Sequence, residues 1–343
     1  MTGDTTTEPS GIGMTFASLA SLGGAAVPEI AVAAASMGYD SVWTAETVGL
    51  EAFATLAAAG ASAPEVGLGT GVLALQLRTP MVAAMGAATL QSLHPERDVW
   101  LGVGISSPVV TERWHGVEYG ASPIARTREY LELVRSCLSG EAVSHEGEYY
   151  RCSRFRLGVR LGDRRPRLVL GALNPTMLRL AGEAADGVLL NYLPASAVPW
   201  CVERVREGEQ AAGRPAGACQ VIAYVHVTAG DRETAVDAAR KDLFSYAVVD
   251  AYATAFARAG FEGEVERLRA ARASGDRDGA VAAMSDTMVD AINVIGDDDH
   301  VAATVAAYVH AGVDLPVVMA MPWGADRRAT TMRTLEAARR GVG

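Results

Sequence analysis

The stretch Gly171–Asn191, GALNPTMLRLAGEAADGVLLN, decides the fold and is typical of a strand end, a tight turn, a helix and a second apolar strand. We expect Asn174 to supply a left-handed residue in the turn, and Pro175 suits the first position of a helix. The first N–H groups of such a helix lack intrahelical partners, so they favour an anion such as phosphate. The pattern predicts either a cofactor-phosphate loop or an ordinary strand-to-helix connection.

Apolar runs and helical patterns alternate on both sides of this unit. The predicted strands are residues 11–16, 40–45, 66–75, 99–104, 167–171, 186–190, 219–228 and 314–320. The predicted helices are residues 27–37, 51–61, 79–93, 122–138, 175–184, 195–212, 231–258 and 326–340. Eight strands, each followed by a helix, favour an α/β fold of the closed (β/α)8 TIM-barrel type over an open sheet.

Two segments interrupt this alternation. Residues 140–166 predict a hairpin inserted after the fourth helix, and residues 259–297 predict two or three extra helices before the last strand. Neither segment has enough apolar residues for a core of its own. We therefore expect one domain over residues 11–343, preceded by a disordered tail at residues 1–10.

The composition indicates which classes of binding partner and which cellular compartment to expect. The net charge is −10, which argues against nucleic acid or an anionic membrane as a partner. No uncharged apolar run is long enough to span a bilayer, and the first residues, MTGDTTTEPSG, do not resemble a signal peptide. The cysteines lack metal-site spacing and are expected to be reduced: Cys137, Cys152, Cys201 and Cys219. These features predict a cytoplasmic protein that acts on a small molecule, without a metal.

Several common catalytic and nucleotide motifs are missing from the sequence. It contains no G-x-G-x-x-G, Walker A, G-x-S-x-G or H-E-x-x-H pattern. The run Asp297–His300, DDDH, resembles a metal site but follows Gly296 at the start of a helix, where acidic residues cap free N–H groups. We expect a helix cap there.

Candidate functional residues lie where strands end, because a barrel builds its site at the carboxyl ends of its strands. These ends are Phe16–Ser18, Ala45–Thr47, Gly69–Val72, Gly104–Ser107, Gly171–Asn174, Asn191–Tyr192 and His226. Their glycines would let the backbone approach a flat ligand, or would simply form tight barrel corners. Glu46 is a candidate general acid, cofactor ligand or helix cap.

Several segments together resemble one protein family. They are AAASMGYDSVWTAETVGLEAF (33–53), VGLGTGVLALQLRTPMVAAMGAATLQSL (66–93), ERDVWLGVGIS (96–106), ERWHGVEYGASPIARTREYLELVR (112–135), residues 171–191 and VAAYVHAGVDLPVV (305–318). In this order they resemble luciferase-like monooxygenases. The ALNPTMLRLAGEAADGVLLN segment and the Trp-His-Gly…Arg-Thr-Arg-Glu-Tyr pattern resemble the branch that uses the deazaflavin coenzyme F420, which includes methylenetetrahydromethanopterin reductase.

The resemblance implies roles for particular residues. Gly71-Val72 matches a non-prolyl cis peptide that bulges against the deazaflavin ring, and Glu46 matches an acidic position near that ring. The cofactor-binding set is Gly71, Val72, Gly104, Ile105, Ser106, Gly171, Ala172, Leu173, Asn174, Pro175, Thr176 and Asn191. Within this set, residues 171–176 match the phosphate loop.

The chain also departs from the sugar-phosphate dehydrogenases of this branch. Thr47 and Ser107 stand where those enzymes carry histidine and glutamate, and Thr176 stands in place of a lysine. These differences argue against activity on glucose 6-phosphate.

The resemblance predicts an enzyme that transfers a hydride between F420 and an organic substrate with an activated C=C, C=N or C=O bond. A proton must move with the hydride. Glu46 is the first candidate to carry it and His115 the second, although His115 would also suit loop packing. The alternatives are an FMN-dependent monooxygenase and a catalytically silent flavin-binding relative. A homodimer is expected.

Overall fold

A computed structural model describes residues 11–342; the tail predicted at residues 1–10 lies outside the described residues. The strands are β1 (Gly13–Thr15), β2 (Ser41–Thr44), β3 (Gly67–Thr70), β4 (Leu73–Ala74), β5 (Val99–Gly104), β6 (Val143–Glu146), β7 (Arg151–Phe155), β8 (Arg167–Gly171), β9 (Gly187–Leu190), β10 (Gln220–Ala229), β11 (Val294–Gly296) and β12 (Leu315–Ala320). The helices are α1 (Val27–Ser36), α2 (Ala52–Ser62), α3 (Pro80–Leu93), α4 (Pro123–Cys137), α5 (Pro175–Ala184), α6 (Val198–Ala211), α7 (Arg232–Ala247), α8 (Asp250–Phe256), α9 (Glu262–Ala273), α10 (Arg277–Ala282), α11 (Asp286–Ile292), α12 (Asp298–His310) and α13 (Arg327–Arg339).

The predicted alternation of strands and helices is confirmed. The eight strands β1, β2, β3, β5, β8, β9, β10 and β12 belong to a parallel sheet, and a helix follows each of them along the chain. This is the (β/α)8 TIM-barrel arrangement. Such a fold collects the loops after its strands at one face, so these loops position the site.

Two predicted elements are divided in the structure. The strand predicted at residues 66–75 forms β3 and β4, on either side of Gly71-Val72. The helix predicted at residues 231–258 forms α7 and α8, because Val249 is extended, with φ −95° and ψ 122°. The neighbouring valines are β-branched and disfavour a continuous helix, and Asp250 suits the first turn of a new one.

Both insertions have the predicted character. Strands β6 and β7 pair as an antiparallel hairpin. Residues 259–297 hold α9, α10 and α11, together with the short strand β11, which the sequence pattern did not predict and which pairs with β10. The expected cap before α12 is confirmed, since Asp297 accepts a hydrogen bond from the His300 N–H at 2.8 Å.

The described chain divides into two compact units. The N-terminal unit comprises residues 15–189 and 204–220, and the C-terminal unit comprises residues 11–14, 190–203 and 221–342. The N-terminal unit contains the parallel strands in the order β2-β3-β5-β8-β9. Its core brings backbone and rings very close together: a Cβ on Gly69 would lie 2.4 Å from the Trp43 ring, so only glycine fits there.

The C-terminal unit contains the parallel strands in the order β11-β10-β12-β1. Helices α7 to α11 share one hydrophobic cluster, whose fully buried members include Leu243, Phe256, Leu268, Met284 and Val289. The inserted helices therefore bury their apolar faces against α7 and α8. Among residues 11–342, no helix has the length and apolar character needed to cross a membrane.

Candidate active site

The end of β3 forms a backbone bulge at Gly71-Val72. The peptide bond between these residues is cis, as predicted. Hydrogen bonds hold both sides of the bulge: the Gly71 N–H donates to the Thr44 carbonyl at 2.7 Å, and the Leu75 N–H donates to the Gly104 carbonyl at 3.0 Å. The bulge is thereby fixed between the ends of β2 and β5.

The Val72 side chain lies against two of the other predicted glycines. A Cβ on Gly104 would be 2.9 Å from Val72 Cγ2, and a Cβ on Gly171 would be 3.3 Å from Val72 Cγ1. Residues from the ends of β3, β5 and β8 therefore meet at one point, which we call the Val72 cradle: Val72, Gly104 and Gly171. A Cβ on Gly104 would collide with the Val72 side chain and a Cβ on Gly171 would press against it, so Val72 packs closely on both glycines.

A buried threonine holds β3 and β5 in register below the Val72 cradle. The Thr70 hydroxyl donates to the Gly102 carbonyl and accepts from the Gly102 N–H, both at 2.8 Å. A Cβ on Gly102 would lie only 1.9 Å from the Thr70 carbonyl oxygen. This close approach explains the glycine two residues before the cradle.

The loop before α5 differs from the prediction in one respect. Asn174 is extended, with φ −99° and ψ 151°, so the predicted left-handed turn is wrong. The reason is Pro175, because the residue before a proline is confined largely to extended backbone. Asn174 instead stands at the N-cap position, but its side chain makes no cap hydrogen bond and its Oδ1 is buried without a partner.

The start of α5 retains the features expected of an anion site. Pro175 occupies the first helical position, and the first intrahelical bond runs from the Leu178 N–H to the Asn174 carbonyl at 2.9 Å. The N–H groups of Thr176 and Met177 therefore have no acceptor within the helix. Thr176 is exposed, and Gly171 lies at the other end of the same loop, in the Val72 cradle.

Glu46 pairs with an arginine that the sequence analysis did not single out. Arg78 Nε donates to Glu46 Oε2 at 2.9 Å and Arg78 Nη2 to Glu46 Oε1 at 2.7 Å. Arg78 also pairs with Glu51, the N-cap of α2. The Ala52 N–H is 3.5 Å from Glu46 Oε1, so Glu46 also lies near the start of this helix.

This pairing sets the charge of Glu46. Partial burial by itself raises the pKa of the Glu46 carboxyl, but the hydrogen bonds and charge of Arg78 outweigh it, and the pKa is lowered. Glu46 is therefore ionised at neutral pH. A carboxylate in this state accepts a proton and does not donate one, which disfavours the general-acid role among the three considered.

His115 contacts the residue that follows Glu46. The His115 Nε2 group lies 2.7 Å from the Thr47 carbonyl oxygen, which requires an Nε2–H donor on the imidazole. The loop after β5 is thereby tied to the loop after β2. The contact places His115 next to the segment that contains Glu46. It is also a packing contact between two loops, which is the other role that the sequence analysis considered for His115.

The remaining predicted residues of the N-terminal unit continue these loops. Ile105 and Ser106 follow Gly104 and are half-buried, and the Ser106 N–H lies 3.4 Å from Gln76 Oε1. Ala172 is buried, and its N–H donates to the Leu189 carbonyl at 3.2 Å. Leu173, half-buried, leads to Asn174.

Asn191 belongs to the C-terminal unit, where its amide is fully engaged. Its Nδ2 donates to the Tyr252 hydroxyl at 3.3 Å, and its Oδ1 faces His226 Nε2 at 2.8 Å. Burial lowers the pKa of His226 to about 3, so the imidazole is neutral and donates through Nε2. The neighbouring Tyr192 has φ +51°, an uncommon conformation for an aromatic residue.

A family model of luciferase-like monooxygenases matches residues 9–315. The chain belongs to the luciferase-like monooxygenase family. This identification confirms the resemblance inferred from the sequence, and the cis bulge is where that resemblance located it.

The relatives of this luciferase-like chain include enzymes described as F420-dependent. A putative coenzyme F420-dependent oxidoreductase of Mycobacterium tuberculosis is 33% identical over 85% of this chain and 90% of its own. A 5,10-methylenetetrahydromethanopterin reductase of Archaeoglobus fulgidus is 30% identical over 76% of this chain and 78% of its own. The solved structure of a coenzyme F420-dependent tetrahydromethanopterin reductase from Methanopyrus kandleri has a TM-score of 0.75 at 21% identity, over 97% of this chain and 98% of that one. The chain is thus a luciferase-like enzyme with oxidoreductases as relatives.

The luciferase-like site contains two residues that sequence reasoning missed, Gln76 and Arg78. Both lie between β4 and α3, in the segment LQLRTP. A polar residue within the apolar run Leu73–Leu77 was the available signal for Gln76. Nothing in the sequence indicated that Arg78 pairs with Glu46, because the two residues are 32 positions apart and are brought together only by folding.

Proposed function

We propose that this chain is a coenzyme F420-dependent oxidoreductase that transfers a hydride to or from an organic substrate with an activated C=C, C=N or C=O bond. The observation that carries the proposal is the Val72 cradle, in which the half-buried Val72 side chain packs on Gly104 and Gly171 from two other strand ends, at the point where the resemblance locates the deazaflavin ring. The F420-dependent relatives support the same cofactor.

The residues present fit a ring joined to a phosphate. The cradle offers the apolar, half-buried side chain of Val72, and the loop from Gly171 leads directly to the N–H groups of Thr176 and Met177, which have no acceptor within the helix. F420, when bound, supplies a two-electron hydride carrier. The chain supplies orientation at the cradle and charge compensation at the helix start.

Glu46 and His115 are the proposed proton-handling residues. The ionised Glu46 carboxylate suits proton acceptance, which accompanies oxidation of a substrate. The Nε2–H of His115 is already bonded to the Thr47 carbonyl oxygen, so His115 is the proposed proton donor in reduction through its other ring nitrogen, Nδ1. Arg78 positions the Glu46 carboxylate through two hydrogen bonds.

The cofactor is tested by binding. Oxidised F420 and FMN are titrated separately into the purified chain, with fluorescence of the ring as the signal. We expect F420 to bind more tightly than FMN. Tight FMN binding without measurable F420 affinity would overturn the proposal in favour of an FMN-dependent monooxygenase, and binding of neither would favour a silent relative.

The substrate class is tested with reduced F420 and a panel of enones, imines and ketones, by following the reappearance of the absorbance of oxidised F420. Turnover of at least one class above the cofactor-only rate is expected.

We also propose that the active form is a cytoplasmic homodimer that takes a small-molecule substrate.

A further inference from the structure

Gln76 is a buried amide beside the Val72 cradle that the resemblance does not assign. It follows β4 and is only 7% exposed. Its Oε1 accepts a hydrogen bond from the Ser106 N–H at 3.4 Å, and Ser106 is two residues beyond Gly104. Since the oxygen of the amide faces Ser106, the NH2 group is the end left for another partner.

That NH2 group has no partner. Gln76 Nε2 is shielded from solvent and makes no hydrogen bond. A buried donor without an acceptor destabilises the fold, because it has lost its hydrogen bonds to water and gained none in return. An apolar residue like its neighbours Leu75 and Leu77 would fill the same place without this cost, so packing does not explain the amide.

A second buried glutamine shows what a structural amide looks like in this chain. Gln91, on α3, is 2% exposed. Its Nε2 donates to the His94 carbonyl at 3.0 Å and to the Arg97 carbonyl at 2.9 Å, so both of its N–H groups are used, although its Oε1 is buried without a partner. Gln91 holds the turn after α3, whereas the donors of Gln76 hold nothing in the ligand-free chain.

We propose that Gln76 is a ligand-binding residue whose NH2 group donates a hydrogen bond to a carbonyl oxygen of the ring held in the Val72 cradle. The inference rests on the proposed function. Deazaflavin and flavin rings both carry carbonyl oxygens, which are acceptors without hydrogens of their own. A neutral amide orients such a ring edge without adding charge beside the hydride-transfer centre.

The proposal predicts opposite effects on stability and on binding. Replacing Gln76 by leucine removes the unsatisfied donor and also the long 3.4 Å bond to the half-buried Ser106 N–H, so the two effects oppose each other and the melting temperature of the ligand-free chain should be unchanged within about 2 °C or raised. The same change removes a hydrogen bond to the ring, so the dissociation constant for oxidised F420 should rise about tenfold. The control Gln91→Leu should do the reverse, with a lower melting temperature and an F420 affinity within about twofold of wild type.

The experiment compares thermal melts and F420 fluorescence titrations of the wild type, Gln76→Leu, Gln76→Glu and Gln91→Leu. Gln76→Glu keeps the acceptor for Ser106 but replaces the NH2 donors with an oxygen, so its F420 affinity should fall at least as far as that of Gln76→Leu. An affinity of Gln76→Leu within threefold of wild type, or a loss of melting temperature as large as that of Gln91→Leu, would overturn the proposal.

The melts need no cofactor, which separates this inference from the proposed function. If the wild type binds FMN instead of F420, the titrations are made with FMN and the same limits apply. If it binds neither, the proposed function and the role of Gln76 are both overturned, whereas F420 binding with an unchanged affinity in Gln76→Leu overturns the role of Gln76 alone.

Discussion

At the scale of single residues, the pairing of Glu46 with Arg78 is the feature that most changes the chemistry expected from the sequence. A glutamate at a strand end is compatible with either protonation state until its neighbours are known. Here Arg78 supplies two hydrogen bonds and a positive charge, and the pKa of the carboxyl is lowered. The residue is therefore ionised, the state that can accept a proton, while the pairing also makes it a weaker base than a free glutamate.

The first prediction concerns turnover. Glu46→Gln should reduce kcat in the oxidative direction by roughly 10²–10⁴-fold, because the amide cannot accept the proton, while F420 affinity stays within a few-fold of wild type. Glu51→Gln is the matched control, since Glu51 also pairs with Arg78 but is more exposed. Stopped-flow or steady-state F420 reduction measures both. Wild-type kcat in Glu46→Gln would exclude Glu46 from proton transfer.

The second prediction concerns stability against pH. Because the folded chain lowers the pKa of Glu46 below its ordinary 4.5, the ionised pair stabilises the fold above that value. This contribution should be lost as the pH falls through the lowered pKa. Urea unfolding of the wild type and Arg78→Met from pH 7 to pH 3 should show a difference in unfolding free energy that shrinks towards acid. A difference that grows towards acid would contradict the pairing.

At the scale of elements, the start of α5 and the β6–β7 hairpin differ in whether their backbone N–H groups find an acceptor within the protein. In α5 the N–H groups of Thr176 and Met177 have no acceptor within the helix, which is why we propose a ligand phosphate there. In the hairpin the corresponding groups are already used: the carboxylate of Glu129 on α4 accepts from the N–H groups of Tyr150 at 2.8 Å and Tyr149 at 3.0 Å. The start of α5 therefore remains a candidate anion site, whereas in the β6–β7 hairpin the Glu129 carboxylate already serves as the anion that accepts these hydrogen bonds.

The third prediction tests the anion site at α5. Thr176→Glu puts a carboxylate in the first turn of α5. There it interacts favourably with the helix dipole but repels a ligand phosphate. F420 affinity should fall about tenfold at low salt, and less at high salt, without loss of melting temperature. Thr234→Glu is the matched control, since Thr234 is an exposed threonine in the first turn of α7, and its F420 affinity should equal that of wild type. Equal affinities of Thr176→Glu and wild type would place the phosphate elsewhere.

The fourth prediction tests the hairpin anchor. Glu129 also accepts from His145 Nε2 at 3.0 Å and from the Glu148 N–H at 3.1 Å, so its removal leaves several donors without an acceptor. Glu129→Ala should lower the local free energy of opening by about 1–3 kcal/mol. Hydrogen exchange of residues 143–155 should accelerate. The exposed Glu132 on the same helix is the control, and equal exchange in Glu132→Ala and Glu129→Ala would refute the anchor.

At the scale of the whole molecule, charge is distributed unevenly. The chain carries a net charge of −10, yet α2 (AFATLAAAGAS) and α3 (PMVAAMGAATLQSL) contain no charged residue. Val82, Met85 and Leu93 of α3 are exposed hydrophobic residues at helical spacing. Two copies of an acidic chain repel each other least through a face without charge, so this face is the proposed dimer contact.

The fifth prediction follows from that face. Met85→Glu should convert the homodimer to a monomer, because it places two carboxylates inside an apolar contact. Val32→Glu on α1 is the control, since Val32 is 49% exposed and Met85 50%. Light scattering after gel filtration gives the mass of each variant. A monomeric wild type, or a dimeric Met85→Glu, would refute the contact.

The sequence by itself determined the order of strands and helices, the positions of the glycines and the family resemblance. These features depend on the local periodicity of the apolar residues and on residue types, such as glycine and proline, whose allowed backbone conformations differ from those of other residues. It also indicated the bulge at Gly71-Val72, through the family pattern. In the predicted phosphate loop, the interpretation of the sequence was wrong only at Asn174, where two local preferences compete. The following Pro175 restricts Asn174 to extended backbone, and this outweighs the tendency of asparagine to adopt the left-handed conformation.

Only the tertiary structure decided the charge and the partners of the site residues. Arg78 reaches Glu46 across 32 positions of sequence, and Val72 meets Gly104 and Gly171 from separate strands. The unpartnered NH2 group of Gln76 likewise exists only relative to everything packed around it. A pKa or an unsatisfied donor depends on distance and burial, which a sequence pattern does not contain until the chain has folded.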